Sequence, residues 1–264
     1  MLTLVGRSLR RIAPLWVGLA VVLTAFQFAL IAVAVSYEEA GSFDRLATIL
    51  PAFARGAFGT AVSSFAGMTT VGYFEPLIIT LLAQFAIYVA TEPAGEVEWG
   101  LVDVVLARPF PRHWLVTRTL IVMATSTLAL ALTMGAAGWL GLHALAPPRA
   151  QWPPPRLVLT LIVHLVMVAW CFGAPALAAA GWARRRAWAQ GSVGLAAIAL
   201  YLIDFIGTFW MPLRRFGRFS PFYYYRGAAI LEGSAHTAVN LTILGAVIVA
   251  ASALAYWQFS RRDL

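Results

Sequence analysis

Asp204, His164, Glu75 and Gln27 are the residues with the most chemistry open to them, because each stands in a stretch that is otherwise apolar. A charge at a bilayer centre is costly, so an ionisable side chain there is expected to pair, to line a polar pathway or to relay protons. What the chain lacks narrows the options. Its nineteen basic residues are all arginine. Without a lysine it can neither hold a nucleotide's terminal phosphates in a Walker A loop nor form a Schiff base. The single cysteine, Cys171, excludes an intrachain disulfide and a Cys-rich zinc site. His113, His143, His164 and His236 fall in different segments without ligand spacing, so no metal site is indicated. No nucleophile stands at a defined spacing from a base. The chain is therefore not expected to be an enzyme by itself, nor to bind a cofactor directly.

The elements that must position these side chains follow from composition. Of 264 residues 61% are hydrophobic and 11% charged, against roughly 25% charged in an ordinary soluble domain, which excludes a soluble globule. A helix crossing a bilayer needs about 20 apolar residues. Six such runs are present, at about 15–35, 71–90, 114–145, 157–180, 189–210 and 237–257. The expected fold is a single all-α polytopic membrane domain. At 1.5 Å per residue, Asp204 lies about 9 Å from the outer end of the fifth run and His164 about 10 Å below the start of the fourth. The two are expected to pair, either as a clamp between helices or as part of a polar layer, with Glu75 and Gln27 at similar depth. Small residues Ala131, Gly135, Ala137 and Gly141, and the stretch 173–180, allow close helix packing.

Arginine placement sets the orientation. With the N-terminus inside, eleven arginines fall on the inner side and eight on the outer; four of the eight lie in the single segment 211–227, leaving eleven against four elsewhere. This favours N-in and C-in by the positive-inside rule. The first apolar run is longer than a cleavable signal core and reads as a retained span. Before it, Leu2, Val5, Leu9 and Ile12 share a face opposite Arg7, Arg10 and Arg11, which predicts a basic interfacial helix ending where Pro14 opens the first span. The stretch 36–70 admits a loop, a re-entrant helix or an added span. A loop with an interfacial helix is favoured, because Arg55 and Gly56 interrupt the run and an added span would invert everything downstream. Proline-rich 147–156 reads as a stiff outer connector. Segment 211–227 interleaves Arg214, Arg215, Arg218 and Arg226 with aromatics including Tyr223 and Tyr224, a composition suited to headgroup depth. These residues are candidates for lipid or substrate contacts at an external gate. Charge spread over both faces argues against nucleic acid as a partner.

Between the second and third runs, 96–112 carries Glu96, Glu98, Gly100, Asp103, Leu106, Arg108, Pro109 and Arg112. Acids at its start and Arg108 before a proline predict a short amphipathic helix of about three turns, lying flat at the inner surface. This pattern resembles the membrane permeases of type-2 ATP-binding-cassette (ABC) exporters, in which an acid-x-acid-x-Gly stretch is followed by an acid, a leucine-rich turn and Arg-Pro before the third span. Arg118 stands where that family often has lysine; Leu101 and Pro111 depart from its usual residues. Ser220-Pro221-Phe222-Tyr223-Tyr224 and the ending 259–264 agree with it as well.

The resemblance implies an exporter permease of a bacterial cell membrane that works as a dimer with a second, identical or homologous, permease. It also implies separate ATPase subunits, which carry ATP and Mg. Glu96, Glu98, Gly100, Asp103, Arg108 and Arg112 would transmit ATPase closure, and 211–227 would form short re-entrant helices before the last span. The substrate stays open. A lipid-modifying membrane enzyme built around Asp204, Glu75 and His164, and a non-transporting scaffold, are the other classes considered.

Overall fold

The computed structural model describes residues 2–43, 45, 49, 59–99, 113–183 and 185–261. Helix α1 spans Leu2–Glu39. A 3-10 turn at Gly59–Ser63 leads into α2 (Phe65–Phe74), α3 (Pro76–Ala90) and α4 (Glu92–Glu98). The long helices α5 (His113–Leu145), α6 (Pro155–Trp182) and α7 (Arg186–Gly207) follow. Short elements α8 (Met211–Gly217), a 3-10 turn at Pro221–Tyr224 and α9 (Gly227–Leu231) precede α10 (Thr237–Arg261). Among the described residues there is no strand.

Among the described residues six stretches are long and apolar enough to cross a membrane: α1 from Leu4, α2 with α3, α5, α6, α7 and α10. The protein is an all-helical integral membrane protein. Helix α6 forms the middle of the bundle, with Leu161, Leu165, Val168 and Leu177 fully buried. By contrast, only 22% of the apolar window of α7 and 11% of that of α10 are buried within the chain. Their outward leucines, isoleucines and valines, such as Leu195, Ile198, Val239 and Val249, are exposed, as lipid-facing or partner-facing positions would be. The small face of α5 receives α1: Gly138 lies against Gln27, and Gly141 against Ile31 and Phe28.

Contacts sort the helix ends. Ser8 of α1, Arg118 near the start of α5 and Arg186 at the start of α7 all reach α4. Tyr256, near the end of α10, shares a 2.8 Å hydrogen bond with Thr117 of α5. One end of the bundle therefore gathers both described termini and α4, and the other carries the 146–154 connector, α8 and α9.

Three expectations are corrected. Pro14 does not separate two helices: α1 is continuous through it, with Ile12 buried on one side and Trp16 Nε1 donating to Ser126 O (3.0 Å) on the other. Packing on α5 offsets the lost backbone bond. The helix that enters the second span begins at Phe65 rather than residue 71, so 65–70 is helical and not loop. Thr69 and Thr70 give their hydroxyls to Ala66 O and Gly67 O (3.0 and 2.7 Å), so polar residues that look like loop are satisfied inside a helix. The helix after the second span starts at Glu92, with Pro93 in its first turn, and ends at Glu98, so Glu96 and Glu98 occupy its last turn instead of its first.

Candidate functional site

Helix α4 is seven residues long, too short to be stable alone, and three neighbours hold it in place. Glu96, 8% exposed, accepts two hydrogen bonds from Arg118, itself 4% exposed: Nη1 to Oε1 at 3.0 Å and Nη2 to Oε2 at 2.9 Å. Planar guanidinium and carboxylate match in this two-pronged geometry. One turn earlier Glu92, also buried, accepts from Ser8 Oγ (3.2 Å) and lies 3.9 Å from Arg11 Nη1. Arg11 in turn covers the Trp99 ring at 4.7 Å. Glu98 Oε2 accepts from the backbone N–H of Arg186 (2.9 Å), the first residue of α7. Arg186 Nη2 donates to Tyr88 O (2.7 Å), and its guanidinium lies 4.2 Å over the Tyr88 ring. Thr91, at the joint between α3 and α4, accepts from Gln190 Nε2 (3.1 Å). Helix α4 is thus joined directly to α1, α5 and α7. Gly100, Asp103, Arg108 and Arg112, with the rest of the expected inner helix, lie outside the described residues.

The second cluster lies at the opposite end, around a break in the second span. Helices α2 and α3 are separated at Glu75, whose extended backbone (φ −66°, ψ 130°) ends one helix while its carboxylate caps the next, accepting from Leu77 N (2.7 Å) and Ile78 N (3.2 Å). In an unbroken helix Leu77 N–H would serve Tyr73 O. That carbonyl is satisfied instead by Tyr225, whose buried hydroxyl reaches Tyr73 O (2.7 Å) and Leu161 O (3.1 Å). Burial, with Tyr73 second, pushes the Tyr225 hydroxyl well above its ordinary range, so it stays a donor. Two residues on, Gly227 packs against Phe74 so closely that a Cβ there would overlap the ring. The segment before the last span is therefore seated on the helix break.

The expected pairing of His164 with Asp204 is not formed. His164 is fully buried, with Nδ1 2.8 Å from Thr160 O and its ring stacked 5.8 Å from that of Tyr225; Nε2 has no partner. Asp204 lies instead beside Gly217 and within electrostatic reach of Arg226. Glu75 and Asp204 do share a neighbour, both lying within electrostatic reach of Tyr201. Gln27 is buried, its Nε2 donating to Thr69 O (2.8 Å).

Of the arginine-aromatic segment, Arg226 covers the Tyr223 ring at 4.7 Å and Tyr224 donates its hydroxyl to Arg218 O (2.8 Å). Arg214 and Arg215 lie exposed in the last turn of α8, where cations favour a helix C-terminus. Sequence reasoning missed Glu92 and Tyr225. Glu92 stands four residues before Glu96, a helical spacing that was open to reading; nothing local marks Tyr225 apart from Tyr223 and Tyr224. Among the described residues no group of three or more His, Cys, Asp or Glu is placed to hold a metal ion. No family model, curated protein or solved structure matches the chain.

Proposed function

We propose that the chain is the transmembrane permease subunit of an ATP-driven ABC exporter in a bacterial cell membrane. In this reading it pairs with a second permease, docks on separate ATPase subunits that bind ATP and Mg, and lies with both termini on the cytoplasmic side. The observation that carries the reading is the anchoring of α4 by Glu92, Glu96 and Glu98 to α1, α5 and α7. A short surface helix joined by charge-assisted hydrogen bonds to three spans can deliver a push from beneath to the bundle as a whole. At the far end, α8, the following turn and α9 serve as a re-entrant external gate, joined to the second span through Tyr225.

A lipid-modifying enzyme built on Asp204, Glu75 and His164 has less support, since His164 faces Tyr225 and Thr160 while the two acids face Tyr201.

The test is purification in mild detergent followed by identification of co-eluting chains. A partner carrying a P-loop and an ABC signature, with ATPase activity stimulated in the joint complex, is the expected result. Catalytic turnover by the isolated chain, with no such partner, would overturn the reading. Within the complex, Asp103→Arg is expected to abolish export while leaving insertion intact. Glu96→Lys is not a clean probe, because it sets a second cation beside buried Arg118.

A further inference from the structure

A cavity of about 510 Å³ lies between α6, α7, α10 and the turn that follows α8. Pro175, Ala196, Leu200 and Leu244 are among its apolar walls. Val247, also in the lining, is 41% exposed, and Ala196 is exposed too. The cavity therefore opens sideways on the outer faces of α7 and α10, the two spans least covered by the rest of the chain. Its lining on α7 runs from Ser192 to Leu200, about 12 Å along the helix axis.

Arg218 is the one charged residue in this lining among the described residues. It stands at the end toward α8, just past the C-terminus of that helix, and is exposed. The turn 217–224 is built to hold it there. Tyr224 donates its hydroxyl to Arg218 O (2.8 Å), Ser220 N–H donates to Gly217 O (2.8 Å), and Ser220 Oγ accepts from Phe222 N (3.3 Å). The Phe222 ring, buried, packs 5.2 Å from that of Phe172 on α6 and 5.4 Å from that of Tyr201 on α7, which seats the turn on both walls. No carboxylate answers the guanidinium. It makes no ion pair among the described residues, and Asp204, beside Gly217, lies within electrostatic reach of Arg226 instead. A cation at the end of an apolar slot that opens on the bilayer matches an acyl chain that ends in a phosphate. The chain adds no unpaired polar group to the walls, and guanidinium and phosphate pair through parallel N–H donors.

We propose that this cavity holds one acyl chain of a phospholipid from the leaflet that meets α8 and α9, with the phosphate hydrogen-bonded to the Arg218 guanidinium. The chain lies along α7 from Leu200 toward Ser192, between α6 and α10. The proposal concerns binding by this chain alone and holds or fails independently of any ATPase partner.

The test uses the full chain, purified in mild detergent and stripped of lipid, and reads bound mass by native mass spectrometry. Phosphatidylglycerol is the probe; diacylglycerol with the same chains lacks the phosphate, and glycerol phosphate lacks the chains. One phosphatidylglycerol per protein chain is expected, at a concentration about tenfold below that needed for diacylglycerol, with no saturable binding of glycerol phosphate. Arg218→Gln brings the two lipids within about twofold of each other. Arg215→Gln, which changes an exposed arginine outside the lining, leaves the preference intact. Ala196→Trp fills the cavity from an exposed position and removes the bound lipid with the thermal midpoint kept. Should Ala196→Trp fail to fold, Val247→Trp fills it from the facing helix with the same result. Equal binding of the two lipids by the parent protein overturns the proposal, as does saturable binding of glycerol phosphate alone. A preference that survives Arg218→Gln, or a bound lipid that survives filling of the cavity, overturns it as well. So does a dimer that Ala196→Trp dissociates without loss of lipid, which would assign this face to a second copy of the chain.

Discussion

Glu96 and Arg118 meet edge to edge in a buried ion pair, two nitrogens on two oxygens at 3.0 and 2.9 Å, at the end of the bundle that holds α4. Arg118 Nε has no partner there, so the guanidinium depends on Glu96 for its neutralisation. Glu96→Leu and Arg118→Met are each expected to cost about 3–5 kcal/mol, because each strands a buried charge. The double variant Glu96→Leu with Arg118→Met is expected to recover much of that loss. Thermal unfolding of the four proteins in detergent closes the cycle, and additive losses would show that the pair is not coupled.

Arg186 tests transmission apart from folding. Its side chain both bonds Tyr88 O and lies over the Tyr88 ring, a combination that the point charge of lysine does not reproduce. On the proposed coupling role, Arg186→Lys is expected to lower ATP-driven export per inserted molecule several-fold while shifting the unfolding midpoint little. Loss of export in strict proportion to lost protein would assign Arg186 to stability alone.

At the break in the second span, Glu75→Ala removes the cap on Leu77 and Ile78 and is expected to cost about 0.5–2 kcal/mol. Glu75→Asp, which retains a capping oxygen, should lose less. Unfolding midpoints of the two variants against the parent provide the measurement.

Tyr225 should register in alkaline solution. Its hydroxyl is raised by burial, so the folded chain holds the proton after the unfolded chain has released it. The contribution to stability is whole below the ordinary tyrosine value, about 10, and is lost as pH rises from there through the raised folded value. Tyr225→Phe is expected to destabilise the protein at neutral pH by leaving Tyr73 O without a donor, and to show a shallower alkaline decline. Unfolding midpoints measured across that range compare the two slopes; parallel slopes would show that Tyr225 contributes no linkage.

Gly227→Ala forces a methyl into the Phe74 ring. The expected result is a detached outer segment, read as faster proteolysis within 211–236, and partial restoration when Phe74→Leu is added. Unchanged cleavage in Gly227→Ala would show that the close approach is not needed for docking.

The six spans, their order and the helical class were legible in the sequence, because a bilayer core demands a fixed length of apolar chain and each run can be judged on its neighbours alone. That Glu96 and Glu98 belong to a short helix after the second span was legible too. Their partners were not. Arg118 lies 22 residues from Glu96 and Arg186 lies 88 from Glu98, and which guanidinium a carboxylate meets depends on how the spans are packed. Residues 65–70 were misread because threonine polarity suggests a loop until the hydroxyls are seen bonding the turn below. His164 and Asp204 shared a depth by residue counting, but counting does not supply neighbours: packing sets Thr160 and Tyr225 beside His164, and Gly217 and Arg226 near Asp204. Tyr225 is the plainest case: its hydroxyl completes a hydrogen bond at Tyr73, 152 residues away, left open by a helix break. That need exists only once both segments are folded. Local chemistry thus determined what would enter the membrane; tertiary packing decided which polar groups, once there, would answer one another.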